Sequence, residues 1–359
     1  MKVLAFHLPQ FHRIPENDLW WGEGFTEWHN TKKAKPIFAG QHQPRTPLGE
    51  RYYDLSDPEA IRWEMELARQ YGLDGFCYYH YWFDGKLLLE KPLEIMRELP
   101  ERMSYCFCWA NEPWSRTWDG THDVLVEQRY RGAEDWQAHF EYLLPFFKAE
   151  TYICMDGRPV LVLYRSEDID DCDAMITYWD ECCRQQGFAG IYVIEEKNSF
   201  QQEAVCRQSR ACLEFEPMYT LTHTRTFRDK VQDYTTTRLF RLKYRTQNYL
   251  YSYDRVWRNI LERIRVPMEG KDTCLGAFVD WDNTARKGER SLIFQGASPE
   301  KFGEYLRRLI RLGKWMDCPM VFINAWNEWG EGTYLEPDTV NEYKYLEALR
   351  HAMKENGRD

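Results

Sequence analysis

The sequence predicts an α/β fold, a single (β/α)8 TIM barrel with an inserted helical segment between its sixth and seventh strands. Three observations point there. About eight short apolar, β-branched and aromatic runs recur along the 359 residues, amphipathic segments of helical period lie between them, and no Gly/Ser-rich linker, repeat or low-complexity tract divides the chain. Barrels of this class commonly run past ~250 residues, so residues 1–359 read as one domain.

In chain order the predicted strands are residues 3–7, 75–80, 105–109, 159–164, 191–195, 211–215, 275–279 and 320–325. Each is nearly continuous in apolar character, as a strand covered on both faces must be, and PVLVLY at 159–164 is the cleanest. Between them, Asp57-Pro58 opens a helix that Gly72 closes, and Ser298-Pro299 opens another that Gly313 closes. Tyr345, Leu349 and Met353 recur on one face of the last helix.

Basic residues number 47 against 57 acidic, a net charge of −10 that disfavours a nucleic-acid partner. No stretch approaches the ~20 apolar residues of a membrane-spanning helix. The N-terminus lacks the apolar core and small-residue cleavage site of a signal peptide, which reads as a cytoplasmic location. Of 11 cysteines, Cys77, Cys106 and Cys108 fall in predicted core strands and none forms a C-x-x-C pair, so the expectation is reduced, buried thiols. Residues 221–266 depart from the acidic background, with eleven basic residues against four acidic ones and many tyrosines. This basic, Tyr-rich insertion reads first as a solvated helical hairpin. Its functional alternative is a loop domain over the barrel mouth that meets an anionic glycan, a diphosphate or a membrane surface, making peripheral contact with a lipid-linked glycan.

A (β/α)8 barrel places its active site at the C-terminal ends of the strands, and here those positions hold carboxylates and aromatics. After the third run come Trp109, Asn111 and Glu112; after the fifth, Glu195-Glu196; around the sixth, Glu214 and Glu216; after the seventh, Asp280, Trp281 and Asp282; after the eighth, Trp326, Asn327, Glu328, Trp329 and Glu331. Glycosidic chemistry needs two carboxyl groups of opposite protonation preference beside the anomeric carbon, and aromatic faces suit the C–H faces of sugar rings. The Glu328-x-x-Glu331 pair at the final strand exit is the sharpest feature. Like charges in one mouth push a pKa upward and so pair an acid with a base. A helix N-terminus would favour the same two acids, but flanking Trp326, Trp329 and Gly332 favour catalysis.

Glu112, in Asn111-Glu112-Pro113, reads equally as a catalytic acid or as a loop acid that binds substrate or Arg116. Asp280-x-Asp282 and Asp168-x-Asp170 match the D-x-D of metal–sugar-nucleotide sites, a pattern common by chance in an acidic chain. No Gly-rich phosphate loop and no spaced metal-ligand set is present, so neither a cofactor nor a metal is predicted. His7, His12, His29, His42 and His80 cluster near the first two strand ends, and one of them, His80, is taken as a substrate contact beside Tyr79. The aromatic, Gly-punctuated segment 17–28 reads as a long first loop whose Trp28 floors a sugar subsite.

Six segments together resemble the bacterial WbsX-type proteins of lipopolysaccharide and O-antigen gene clusters, whose domain is similar to glycoside hydrolase family 99. They are LPQFH at 8–12, ENDLWWGEGFTEW at 16–28, DGFCYYHYWF at 74–83, CWANEPWSRTWDG at 108–120, WDNT at 281–284 and INAWNEWGEGTYLEPD at 323–338. The resemblance implies a (β/α)8 barrel and endo-acting, retaining hydrolysis of α-linked glycans. It implies Glu328 as the base that assists the sugar 2-hydroxyl through an epoxide-like intermediate, and Glu331 as acid/base for the leaving oxygen. Gly330 stands where the mannosidases carry His between these acids, so the mannose preference does not carry over with the motif.

The leading expectation is therefore a glycoside hydrolase or transglycosylase acting on a surface-polysaccharide or lipopolysaccharide-type glycan. Glu328 and Glu331 would be catalytic, and Glu112, Asn111, Trp109, Trp28, His80, Tyr79, Asp282, Trp281, Asn327 and Trp329 would bind substrate. The alternatives are a glycosyltransferase of O-antigen or lipopolysaccharide biosynthesis, using a nucleotide- or lipid-linked sugar, and a non-catalytic glycan-binding barrel.

Overall fold

The structure, a computed structural model, describes residues 1–115, 124–266 and 268–357. All eight predicted runs are strands: β1 (Lys2–His7), β2 (Gly75–Phe83), β3 (Ser104–Trp109), β4 (Arg158–Leu163), β5 (Tyr192–Lys197), β6 (Ala211–Glu214), β7 (Asp272–Phe278) and β8 (Met320–Asn324). Each pairs in parallel with the next, and β8 returns to β1 with Ala5 opposite Ile323, which closes the barrel. Strand β2 outruns its prediction because its end turns through Asp84-Gly85, both at positive φ, into a hairpin with Lys86–Leu88.

Much of the aromatic surplus is packing. Inside the barrel Phe6 stacks on Tyr79 at 5.4 Å and meets Phe215 and Phe322 edge-on or tilted at 5.3 and 5.6 Å. A fully buried side chain of this kind contributes about 1.5–3 kcal/mol through area removed from water.

Helix Pro58–Gln70 begins where the sequence predicts, with Asp57 accepting from the Glu59 N–H. Helix Pro299–Trp315 is capped by Ser298 but runs past Gly313. Gly313 is not a terminator. It is buried in the helix, where a Cβ would lie 2.8 Å from Met1 Sδ, and Asp317, at φ 53°, takes the left-handed position instead. In the last helix, Lys344–Glu355, Tyr345, Leu349 and Met353 face the core as predicted.

Two expectations are corrected. No helix lies between β5 and β6, and the space one would fill on the barrel wall is taken by a polar cluster around Glu195. That side chain accepts from Ser166 Oγ at 2.7 Å, the Val205 and Cys206 N–H groups and Lys271 Nζ at 2.9 Å. Burial pushes its carboxyl up, but the Ser209 hydroxyl, which also donates to it, together with Lys271, the Cys206 N–H and Ser166 outweighs burial and holds it below the ordinary value. Nor are all the thiols reduced. The helix-less connection brings Cys206 over the start of helix Cys172–Gln185, and Cys172 and Cys206 form a disulfide across 34 residues. The other nine cysteines are free, with Cys77, Cys106 and Cys108 buried as expected.

The insertion is also more than a helical hairpin. Helix Phe227–Tyr244 leads to strand Tyr249–Ser252, which pairs in parallel with Leu292–Gln295, and then to helix Tyr253–Glu262. The latter packs Trp257 flat on Phe278 at 5.3 Å and donates from Tyr253 Oη to the Val279 carbonyl, so it serves as the barrel's own sixth helix. No helix among the described residues is long and apolar enough to cross a membrane.

Candidate active site

Beyond β8 the chain folds into a small hairpin. Asn327–Glu328 pairs antiparallel with Thr333–Tyr334, and the connecting turn carries Glu331. Three buried contacts fix it. The Asn327 amide exchanges two hydrogen bonds with the Leu8 backbone, the Trp329 ring stacks on Tyr334 at 3.8 Å, and Trp329 Nε1–H donates to Glu336 at 2.6 Å. Gly332 closes the turn at φ 67°, where a Cβ would meet the Asp282 carbonyl oxygen at 2.7 Å.

The two acids of the motif meet one guanidinium. Arg286, on the short helix Thr284–Lys287, approaches Glu328 at 2.8 Å, Glu331 at 3.0 Å and Glu27 at 3.3 Å. The Glu328 contact is an ion pair without an aligned hydrogen bond. Burial pushes both Glu328 and Glu331 above the ordinary carboxylate range, the Arg286 charge opposes it, and mutual repulsion adds to the rise in Glu328. The three surrounding carboxylates hold the guanidinium protonated despite its burial. Glu331 is the more open of the pair, its side chain 27% exposed against 10% for Glu328. One acid faces the mouth and the other its floor, two environments that suit different protonation roles.

Glu112 lies near this pair. Burial pushes its carboxyl up, Arg165 opposes that, and the Glu331 charge adds to it. Glu196, inside the barrel, is driven well above its ordinary value by burial and by Glu112, and its Oε2 has no hydrogen-bond partner among the described residues. Tyr79 is partly exposed in the barrel interior, and Tyr81 accepts from Gln10 Nε2 at 3.0 Å and feels the charges of Glu328 and Arg286. Tyr164 completes this set beside Glu112, Glu196 and Glu331.

The remaining predicted contacts are placed beneath the surface of the mouth. Trp109 is buried with its N–H on the Trp82 carbonyl, and Trp28 is buried with its N–H on the Tyr53 carbonyl. Asn111 is fully buried and bonds Arg165 N–H, Arg165 O and Tyr130 Oη, joining the third and fourth loops. Trp281 is buried in the core, and Trp329 and Asn327 hold the hairpin. His80 faces away from the mouth, its Nε2 2.8 Å from His139 Nε2 on helix Ala133–Phe147, and burial drops its pKa to about 3. The other histidines do not converge: His7 bonds Glu64, His12 bonds the Pro9 carbonyl, His29 belongs to a helix cap, and His42 lies near Arg45 and Asp338. Arg116, the alternative partner for Glu112, lies outside the described residues, as does 116–120 of the segment 108–120.

The acids around β6 and β7 are engaged by the protein itself. Glu214 pairs with Arg265 at 2.8 Å and Glu216 with Arg263 at 2.8 Å, so part of the insertion's basic surplus neutralises the barrel wall. Asp280 pairs with Arg45 at 2.8 Å. Asp282 accepts from Gln41 and from the Thr284 N–H and hydroxyl, which starts the helix that carries Arg286. Among the described residues no group of three or more His, Cys, Asp or Glu is disposed to hold a metal ion.

Sequence reasoning missed Arg286, Glu27, Tyr81 and Tyr164. A signal existed in part: Glu27 and Tyr81 lie in two of the six segments, and Tyr164 ends a predicted strand. Arg286 sits two residues beyond the segment 281–284, and nothing local distinguishes it from a surface arginine.

A family model described as "Glycosyltransferase WbsX" matches residues 3–349. Two relatives, each called "Uncharacterized protein WxcX" and both from Xanthomonas campestris pv. campestris, are 35% and 34% identical over 359 residues. The match covers 98% of this chain and 49% of each, so the chain spans about half the length of the curated relatives it matches. Among solved structures, a family 99 endo-α-mannosidase from Bacteroides thetaiotaomicron superposes with a TM-score of 0.57 at 12% identity, covering 98% of this chain and 96% of that one. A structure called a glycoside hydrolase-like protein gives 0.60 at 12% identity, covering 98% and 93%. At such identities the likeness establishes the fold, a closed (β/α)8 barrel.

Proposed function

The chain belongs to the WbsX family, and on that footing we propose that it is a retaining glycoside hydrolase or transglycosylase that cleaves α-linked bonds within a surface-polysaccharide or lipopolysaccharide-type glycan. The observation that carries this reading is the pair Glu328 and Glu331 at the β8 exit, unequally exposed, both raised in pKa and both in contact with Arg286. The fold shared with family 99 endo-α-mannosidases supports a glycan as substrate. Glu112, Tyr79 and Tyr164, each partly exposed, are the groups disposed to contact it, while Trp28, Trp109, Asn111, Asn327, Trp281 and Trp329 act by holding the loops in place.

In the proposed reaction Glu331 gives its proton to the departing glycosidic oxygen. Glu328, whose ionisation the adjacent Arg286 charge favours against the upward push of burial, acts as carboxylate and takes the proton of the sugar 2-hydroxyl, whose oxygen attacks the anomeric carbon and displaces the leaving group. Water or a second sugar hydroxyl then opens the three-membered ring, losing its proton to Glu331 while Glu328 returns one to the 2-oxygen. Both carboxyls end as they began, with retention at the anomeric carbon. Arg286 stabilises whichever acid is ionised at each stage.

The second reading, a glycosyltransferase, is favoured by the family's description alone. One experiment separates them: the protein is incubated with α-glycans and, separately, with sugar nucleotides and acceptor, with and without EDTA. New reducing ends that EDTA does not suppress, and that Glu331→Gln abolishes without change in thermal unfolding, support the hydrolase. Nucleotide release that needs both metal and acceptor would overturn it. Glycan binding without turnover, unaffected by Glu328→Gln, would leave a binding barrel.

A further inference from the structure

Helix Phe227–Tyr244 sorts its residues in an unusual way. Its only acids, Asp229 and Asp233, are buried and turned toward the barrel, where they pair with Arg258 and Arg255. Its outer side carries Phe227, Val231, Tyr234, Leu239 and Leu242, exposed by 80%, 48%, 67%, 63% and 71%. On a helix of 3.6 residues per turn these five fall on the half opposite Asp233 and Phe240, so they form one stripe rather than scattered points. Arg228, Lys230, Arg238 and Lys243 are exposed within and beside the stripe, and none of them forms an ion pair among the described residues. In a chain of net charge −10, this face combines five large apolar side chains and the polar Gln232 and Thr235 with charges that are all cationic.

We propose that the outer face of helix 227–244 is a peripheral docking surface for an anionic lipid bilayer. Large side chains flanked by Lys and Arg, with every acid removed from the face, match the interfacial boundary, where acyl chains lie just beneath negatively charged headgroups. A protein partner is matched less well, because the face is a single convex helix and protein interfaces are depleted in lysine at their centres. Its placement gives the contact a use. Phe240 and Tyr244, near the helix end, pack on Phe38 at 5.1 and 5.6 Å. Phe38 belongs to the loop whose Gln41 bonds Asp282 at 2.9 Å, and the Asp282 N–H donates to the Glu331 carbonyl. The helix thus packs by its inner side on a loop of the barrel mouth, and docking by its outer face would hold that mouth close to the bilayer and a headgroup-linked glycan. Vesicle binding itself does not depend on the catalytic reading.

The test is co-sedimentation of the protein with phosphatidylcholine vesicles, with and without ~30 mol% phosphatidylglycerol, at low and high salt. The expected result is binding to the anionic vesicles only, weakened as salt rises from about 0.1 to 0.5 M. Leu239→Asp with Leu242→Asp, and separately Arg228→Glu with Arg238→Glu, should each cut the bound fraction about fivefold or more while circular dichroism and Tm stay unchanged. Absence of binding by the unaltered protein, or binding that both double variants retain, would overturn the proposal. So would self-association that Leu242→Asp abolishes in a protein that ignores vesicles, since the face would then be a protein interface.

Discussion

Arg286 fills the space that a side chain at Gly330 would need: a Cβ on Gly330 would lie 2.7 Å from Arg286 Nε and 2.6 Å from Glu27 Oε2. The absence of a side chain between the two acids of the motif therefore has a structural counterpart. This chain brings a buried guanidinium and its carboxylate partner to that place from two distant loops.

A methyl group at position 330 should consequently be destabilising through Arg286. Gly330→Ala is expected to cost about 1–3 kcal/mol by overpacking. In an Arg286→Ala background the same change should cost less, because one of the two crowding groups is gone and the other, the Glu27 carboxylate, has lost the guanidinium that holds it in place. Thermal or urea unfolding of the four proteins gives the coupling energy, and a value near zero would refute the shared-space account.

Arg286 also sets the pH range of the site. Its charge lowers the pKa of both Glu328 and Glu331 against the upward push of burial. Without that charge both values rise, and a base that must be ionised becomes competent only at higher pH. Arg286→Gln should thus move the acid limb of kcat/KM to higher pH and cut activity at neutral pH about 10- to 100-fold. Arg286→Lys, which keeps the charge, should return part of the shift. An unmoved limb would place Arg286 outside the charge balance of the site.

Acid sensitivity should come in part from His80. Its pKa in the fold is about 3, below the ordinary 6.5, so between those values the unfolded chain binds more protons. The stability it contributes is present above pH 6.5 and is lost as pH falls toward 3, at up to about 1.4 kcal/mol per pH unit. His80→Gln should flatten the slope of unfolding free energy against pH in that window, read by urea titrations at several pH values. An unchanged slope would show that His80 is already protonated in the fold.

The Cys172–Cys206 disulfide should show in a thiol count. Denatured without reductant, the oxidised protein should present nine titratable thiols rather than 11. Cys206→Ser should lower stability by about 2–4 kcal/mol under oxidising conditions and have far less effect once dithiothreitol is present.

Strand positions were legible because each barrel strand is covered on both faces and its sequence reads as an unbroken apolar run, as PVLVLY does at 159–164. The pair of acids proposed as catalytic was legible for a related reason: Glu328 and Glu331 are close in the chain and follow a recognisable strand. The burial of the aromatic residues was not legible, because Trp28, Trp109 and Trp329 look alike in sequence whether a ring faces a sugar or a neighbouring ring. The structure puts all three under the loops, with their N–H groups bonded inside the protein.

The sequence by itself determined the barrel, its strand order, the family and the two acids at the final strand exit, since each depends on local pattern or short spacing. Only the tertiary structure decided what surrounds those acids. Arg286 and Glu27 come from loops 259 residues apart, Asn327 reaches Leu8 across 319, and the missing helix after β5 made room for a disulfide. Such partners are chosen by the closure of the barrel, which brings its first and last loops together. No local periodicity records which side chains will then share a space.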